Sequence, residues 1–173
     1  MEPHPARFAS FREMRSMSGT KPRKSLRDFS EQREAALLAM EKALAWDSNS
    51  RSAAICLARM LLVVNRPDEL RRVARHVQRL EPSRAEGFIW EGMSWQQQGN
   101  PQAAADAYAQ ALTRNATQPV ALFNLAELFR EQGRLEEASK LYQAFLQTDS
   151  GPLSTPQRSY AQTFLNQHGR SHR

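Results

Sequence analysis

One stretch decides the fold: residues 85–118 read AEGFIWEGMSWQQQGNPQAAADAYAQALTRNATQ. In its first half, Phe88, Gly92 and Trp95 recur at the three- and four-residue spacing of one helix face. Gly99 follows, and a residue without Cβ adopts the positive φ of a tight turn at little cost. The first half therefore predicts a helix that ends in a sharp turn.

The second half of this stretch begins with a helix-start signal. Asn100 offers a side chain that caps free N–H groups, and Pro101 suits the first helical position, where no N–H is needed. An apolar stripe follows at helical spacing, formed by Ala104, Ala107, Tyr108, Ala111 and Leu112. The small alanines let two helices approach closely, so the whole stretch predicts a helix–turn–helix hairpin.

The same pattern recurs with a period of 34 residues. Gly99 is followed by Gly133 at this distance, and Asn65 holds the same place one unit earlier. Four further series keep the spacing: Leu61, Trp95 and Phe129; Ala36, Leu70, Ala104 and Ala138; Met40, Ala74, Tyr108 and Tyr142; Ala43, Val77, Ala111 and Phe145. A spacing that holds at several positions at once indicates a repeated supersecondary unit.

These residues resemble the tetratricopeptide-repeat (TPR) family. Its pattern places a large, a small and an aromatic residue in the first helix, and a small, an aromatic and a small residue in the second. Two units match it: Phe88, Gly92, Trp95, Ala104, Tyr108 and Ala111, then Leu122, Ala126, Phe129, Ala138 and Tyr142. Phe145 departs from it, and Pro82 is the family's closing proline in the unit before. The resemblance covers residues 30–150 and implies an all-α, right-handed, TPR-like superhelical solenoid of helix-turn-helix repeats with a C-terminal capping helix.

The repeat divides the chain into segments. We predict a half repeat over residues 30–50, complete repeats over 51–84, 85–118 and 119–152, and a capping helix over 153–167 that covers the last repeat. Residues 1–29 are predicted to form a disordered tail, since they carry seven basic and three acidic residues besides Gly19 and Pro22. Residues 168–173 are predicted to form a second tail. The composition of the first tail leaves a targeting segment open as well.

Stacked helix pairs expose a concave groove lined by the first helices. The spacing predicts that a partner's peptide or helix contacts nine side chains there: Ile55, Arg59, Leu62, Ile89, Met93, Gln96, Phe123, Glu127 and Arg130. This mixture of apolar and charged groups suits a ligand with apolar anchors and a few polar contacts. The alternative interpretation is that some of these residues are core.

One TPR specificity is disfavoured. The family members that hold acidic chaperone tails use a two-carboxylate clamp of lysine, asparagine and arginine. The matching positions here hold Ile55, Arg59, Trp90, Val120 and Asn124. Only Arg59 and Asn124 are chemically suitable, so we expect a different ligand.

A second surface carries a basic patch on the helix predicted over residues 67–80. Four side chains share its outer face: Arg72, Arg75, His76 and Arg79. The functional interpretation is a site for nucleic acid, an anionic membrane or an acidic protein. The alternative is an ordinary solvated face, which is favoured because no aromatic platform for stacking accompanies the arginines.

Composition limits the remaining classes. The net charge is +6, and the longest apolar run, residues 60–64, is far too short for a membrane span. Cys56 is the single cysteine, and only His76 of the four histidines lies outside the predicted tails. We therefore expect no catalytic site, no metal and no cofactor, and a cytoplasmic location.

These observations predict a non-enzymatic scaffold or adaptor for a partner protein, of the kind found in bacterial assembly or secretion systems. A sharper alternative is a TPR chaperone of the type III secretion kind, although its relatives tend to be acidic. A different class is a nucleic-acid or anionic-membrane surface binder that acts through the basic patch and the N-terminal tail. The sequence does not predict an oligomeric state.

Overall fold

The structure is a computed structural model that describes residues 26–148 and 155–168. Within these two ranges the regular elements are eight α-helices, and there is no strand. Their bounds are α1 Leu26–Trp46, α2 Arg51–Val63, α3 Pro67–Leu80, α4 Glu86–Gln97, α5 Pro101–Arg114, α6 Pro119–Glu131, α7 Leu135–Gln147 and α8 Thr155–His168. The all-α solenoid prediction is confirmed.

The chain forms two compact units, residues 1–36 and 37–173. Of the first unit, the structure describes only the helical segment 26–36. In the second unit, helices pair as α2 with α3, α4 with α5, and α6 with α7, and α8 packs against α7. We call α2, α4 and α6 the first helices and α3, α5 and α7 the second helices.

Three residues set the turns inside the hairpins. Asn65, Gly99 and Gly133 have φ values of +57°, +69° and +76° and lie 34 residues apart. In each turn, the N–H of the next residue bonds back across the helix end. The Asn100 N–H donates to Trp95 O over 2.9 Å, and the Arg134 N–H donates to Phe129 O over 2.8 Å. The left-handed residue thereby satisfies carbonyl groups that a helix end leaves free.

The helix starts follow the sequence signals. Asn100 Oδ1 accepts a hydrogen bond from the Ala103 N–H at 3.1 Å, which caps α5. Three helices begin with proline, where the missing N–H costs nothing: α3 at Pro67, α5 at Pro101 and α6 at Pro119.

Apolar side chains form three buried clusters along the solenoid. The first lies around Leu57, Leu61 and Leu70, the second around Tyr108, and the third around Tyr142. Neighbouring clusters share side chains: Met93 joins the first and second, and Leu112, Phe129 and Leu141 join the second and third. The interior of residues 37–168 is therefore continuous, as repeats that cover one another require.

The two repeat tyrosines occupy the centres of their hairpins. Tyr108 and Tyr142 are fully buried. A Cβ built on Gly92 would lie 2.6 Å from Cε1 of Tyr108, so only glycine leaves room for the ring in this hairpin. The next hairpin has Ala126 at the same repeat position.

Three details differ from the sequence-based expectations. Helix α1 begins at Leu26, so residues 26–29 are helical and do not belong to a disordered tail. Ala43 is exposed, because α1 contacts the first cluster through Leu37, Met40 and Leu44. His168 belongs to α8, where its ring lies 4.6 Å from that of Phe164. The other residues of the predicted tails, 1–25 and 169–173, lie outside the described residues.

Candidate peptide-binding face

The predicted groove residues lie on the first helices, and we call their outward side the first-helix face. Arg59 and Gln96 are exposed there, and Ile55, Leu62, Met93, Phe123, Glu127 and Arg130 are half-buried. Met93 also packs against the first two apolar clusters. The face therefore combines accessible side chains with anchors that reach into the interior.

Ile89 corrects the predicted set. It is only 5% exposed and belongs to the second cluster, together with Ala121 and Leu125 of the next first helix. Helix α4 also lies close to α3, since a Cβ on Gly87 would come within 2.9 Å of Ala74 O. Ile89 is therefore a core residue between two repeats, as the alternative interpretation expected for part of the predicted set.

The hydroxyl of Tyr108 reaches the first-helix face from the second helix behind it. It donates a hydrogen bond to Gln96 Oε1. It accepts one from Asn124 Nδ2 over 3.3 Å. Burial raises the pKa of this tyrosine above its ordinary value, so the hydroxyl keeps its proton in neutral solution. One buried ring thus fixes two carboxamides from neighbouring repeats.

The hydroxyl of Tyr142 acts in the same way one repeat later. It donates to Glu127 Oε1, while Arg130 bonds Glu127 Oε2 through Nη2 at 3.0 Å. Burial, and then the bond to Glu127, raise the pKa of Tyr142. The hydrogen bond to Glu127 raises the pKa of Arg130. Both charges on this part of the face are therefore internally satisfied.

A group of aromatic rings lies beside this network. The ring of Phe123 lies 6.0 Å from that of Tyr142 and 6.4 Å from that of Tyr160. Tyr160 comes from α8 and is 43% exposed. Sequence reasoning placed Tyr160 on the capping helix and missed its contribution to the face. It also missed the two tyrosine hydroxyls. Ala74 holds the same repeat position one unit earlier and has no polar group there, so the difference between the units is visible in the sequence.

Arg59 differs from the other charges of the face. It is exposed on α2 between Ile55 and Leu62. Within residues 26–148 and 155–168 it has no ion pair and no hydrogen bond through its guanidinium. An unpaired cation among apolar neighbours attracts an anionic group from outside.

The predicted basic patch lies on α3, but only part of it is available. Arg72, Arg75 and Arg79 are exposed, whereas His76 is half-buried with Nε2 2.6 Å from Ser48 O. Arg75 forms an ion pair with Glu91 at 3.0 Å. Two arginines thus lack partners in the described part of the chain, which gives little support to the nucleic-acid or membrane hypothesis.

In the part of the chain that the structure describes, no three His, Cys, Asp or Glu side chains come together as a metal site would require. No described helix combines the length and the hydropathy of a membrane span. Cys56 is an exposed free thiol.

The geometry defines a class: a helical-hairpin repeat protein with one face of polar and aromatic groups supported from within. Residues 91–152 match the family model described as the tetratricopeptide repeat. With the fold, this match confirms the predicted resemblance to the tetratricopeptide-repeat family. No curated protein matches the chain by sequence.

Solved structures share the fold. The crystal structure of MamA is 18% identical with a TM-score of 0.61, and the match covers 83% of this chain and 92% of that one. The type III secretion chaperone SycD of Yersinia enterocolitica, in complex with a peptide of the translocator YopD, is 17% identical with a TM-score of 0.61 and coverages of 67% and 89%. A thermophilic TPR protein of Thermus thermophilus is 21% identical with a TM-score of 0.66 and coverages of 79% and 74%.

Proposed function

We propose that the chain is a non-enzymatic scaffold that holds a peptide segment of a partner protein against the first-helix face. One observation carries this proposal. Gln96 bonds the Tyr108 hydroxyl through Oε1, and Asn124 bonds it through Nδ2. The other polar atoms of these two carboxamides, Gln96 Nε2 and Asn124 Oδ1, have no partner among the described residues. A free donor beside a free acceptor complements the C=O and N–H groups of a peptide backbone.

The surroundings favour such a ligand. Because the Tyr108 hydroxyl holds both carboxamides, little side-chain entropy is lost when a peptide binds. Met93 and Phe123 are half-buried neighbours that offer apolar contact. Backbone hydrogen bonds supply general affinity in this arrangement, and the apolar neighbours supply side-chain selection.

A chaperone for type III secretion translocators is a finer form of the same proposal. The observation that favours it is the shared fold with SycD, a chaperone whose structure holds a translocator peptide. At 17% identity this likeness shows the fold alone, so the chaperone role is a proposal that rests on the shared fold. The particular partner is left to experiment.

Selection from a phage-displayed library of random 16-residue peptides tests the proposal. We expect the wild-type protein to enrich peptides that bind about tenfold more weakly to the Gln96→Ala/Asn124→Ala double variant, since each lost hydrogen bond contributes about 0.5–1.5 kcal/mol. The matched control is Gln102→Ala/Gln110→Ala, which removes two exposed carboxamides from second helix α5. Circular dichroism melts verify that all variants are folded.

Two results would contradict the scaffold proposal. One is the failure of the library to yield any binding peptide. The other is equal affinity of the selected peptides for the wild type and the Gln96→Ala/Asn124→Ala variant.

A further inference from the structure

We infer that the bound segment is extended and carries an acidic side chain that pairs with Arg59, together with an apolar side chain that packs against Phe123 and Tyr160 about six or more residues away. This inference rests on the proposed function and specifies the chemistry of the partner. It concerns internal side chains of a peptide, which differ from the terminal carboxylates that a two-carboxylate clamp holds.

The acidic requirement follows from the charges of the first-helix face. Glu127 and Arg130 neutralise each other, and the Tyr142 hydroxyl occupies the second oxygen of Glu127. Glu86, at the start of α4, pairs with Arg51 at 3.1 Å and with Arg84 at 2.9 Å.

Arg59 is the exception among these charges. On the described part of the face it is the charged group without an internal partner. Its neighbours Ile55 and Leu62 are apolar, so they offer the guanidinium no alternative hydrogen bond. A carboxylate is the group that satisfies both the charge and the planar N–H donors of an arginine.

The apolar requirement arises at the other end of the face. Phe123 and the 43%-exposed Tyr160 stand 6.4 Å apart at an interplanar angle of 69°. Val120, one helical turn before Phe123, is 41% exposed. An aliphatic or aromatic side chain packed across the exposed edges of the two rings loses contact with water and gains contact with both.

Helix geometry gives the spacing. Arg59 and Phe123 lie on α2 and α6, two first helices with α4 between them. Directly packed helices have axes about 8–10 Å apart, whereas neighbouring first helices contact each other less than the two helices of a hairpin do, so the two groups are separated by about 20 Å or more across the helices. Their repeat positions differ by four residues, which adds about 6 Å along the axis. An extended chain covers about 3.3–3.6 Å per residue, so about six or more residues span this distance.

The same library selection, analysed by position, tests the inference. Among the peptides that bind wild-type protein, we expect Asp or Glu to be enriched six or more residues from Leu, Ile, Met or Phe. For a synthetic pair that differs only by Asp or Asn at that position, the Asp peptide is expected to bind wild type about two- to fivefold more tightly. The Arg59→Gln variant is expected to lose this difference.

Charge reversal at Arg59 gives a result that a purely structural role of this residue would not produce. Selection on Arg59→Glu is expected to enrich Lys or Arg at the former acidic position. Arg72→Glu is the matched control, because Arg72 is also exposed and unpaired in the described chain but lies on second helix α3. It is expected to select the wild-type pattern. Phe123→Ala/Tyr160→Ala is expected to lose the apolar preference while the acidic preference persists.

The outcomes separate the two proposals. Binding peptides without an acidic preference, or the same preference on Arg59→Glu, would overturn the inference and leave the scaffold function standing. Enrichment of further apolar residues at the three- and four-residue spacing of one helix face would indicate a helical ligand and would also overturn it. A library without binders would overturn both.

Discussion

The Cα of Gly92 lies directly against the ring of Tyr108, so that a Cβ on Gly92 would stand 2.6 Å from Cε1 and 2.8 Å from Cδ1. The ring is fully buried, and its hydroxyl is held by Gln96 and Asn124. The ring therefore cannot move aside to make room for a methyl group on residue 92.

We expect Gly92→Ala to lower the free energy of unfolding by about 1–2 kcal/mol, because the overpacking cost exceeds the gain of about 1 kcal/mol in helix propensity. Urea denaturation measures the change. Combining Gly92→Ala with Tyr108→Leu should cost less than the sum of the single changes, since the smaller side chain makes room. Additive costs would show that the contact between residue 92 and the Tyr108 ring does not cause the loss of stability.

The turn residues give expectations of opposite sign. Gly99 and Gly133 have positive φ, and nothing lies within 4 Å of a Cβ on either, so an alanine there suffers backbone strain alone. Gly99→Ala or Gly133→Ala should destabilise by about 1 kcal/mol. Asn65→Gly at the equivalent turn should raise stability by a few tenths of a kcal/mol, up to about 1 kcal/mol, because glycine adopts this φ more readily. Thermal and urea melts that gave all three changes the same sign would refute this account of the turns.

The placement of Ile89 in the core has a direct consequence. Ile89→Asp buries a carboxylate in the second cluster and should cost more than about 4 kcal/mol, which is enough to abolish cooperative unfolding in a domain of this size. The control is Val63→Asp, since Val63 is 70% exposed at the end of α2 and its substitution should change stability by less than about 0.5 kcal/mol. Far-ultraviolet circular dichroism during a urea titration compares the two. A stable, folded Ile89→Asp protein would contradict the placement of this side chain in the core.

The buried tyrosines make stability depend on pH in the alkaline range. Burial raises the pKa of Tyr108 and Tyr142 in the native state, whereas the unfolded chain titrates near the ordinary value of about 10. Above about pH 10 the unfolded state releases these protons first, so the free energy of unfolding falls as the pH rises. Below about pH 10 both states hold the protons, and this contribution is fully present.

We expect each tyrosine to contribute a slope of up to about 1.4 kcal/mol per pH unit above pH 10. Urea melts at several pH values between 8 and 11 test this expectation. Tyr142→Phe should reduce the alkaline slope and leave a lower but pH-independent stability near neutrality. An unchanged slope in that variant would show that other groups control alkaline unfolding.

Sequence reasoning succeeded where one residue's chemistry determines local geometry. The turns at Asn65, Gly99 and Gly133 were readable because few residues accept a positive φ, and their spacing of 34 residues revealed the repeat. The burial of Tyr108 followed from its place in the apolar stripe of residues 104–112. These constraints are local, and each of them recurs in more than one repeat.

It failed where a neighbouring repeat decides exposure. Ile89 shares its repeat position with Ile55 and Phe123, which are half-buried, yet it is buried in the cluster that also holds Ala121 and Leu125. The approach of Tyr160 to Phe123 depends on where α8 begins after residues 149–154, and the 34-residue period does not specify that start.

Tyr108 and Tyr142 each fill the protein interior with a ring and present a hydroxyl to the first-helix face. Under the proposed function, recognition and folding are encoded in different atoms of one side chain. A single nucleotide change from a tyrosine to a phenylalanine codon keeps the aromatic volume and removes only the oxygen that orients Gln96 and Asn124, or Glu127. Mutational drift between these two codons offers the repeat a short evolutionary route to a new partner without a new core.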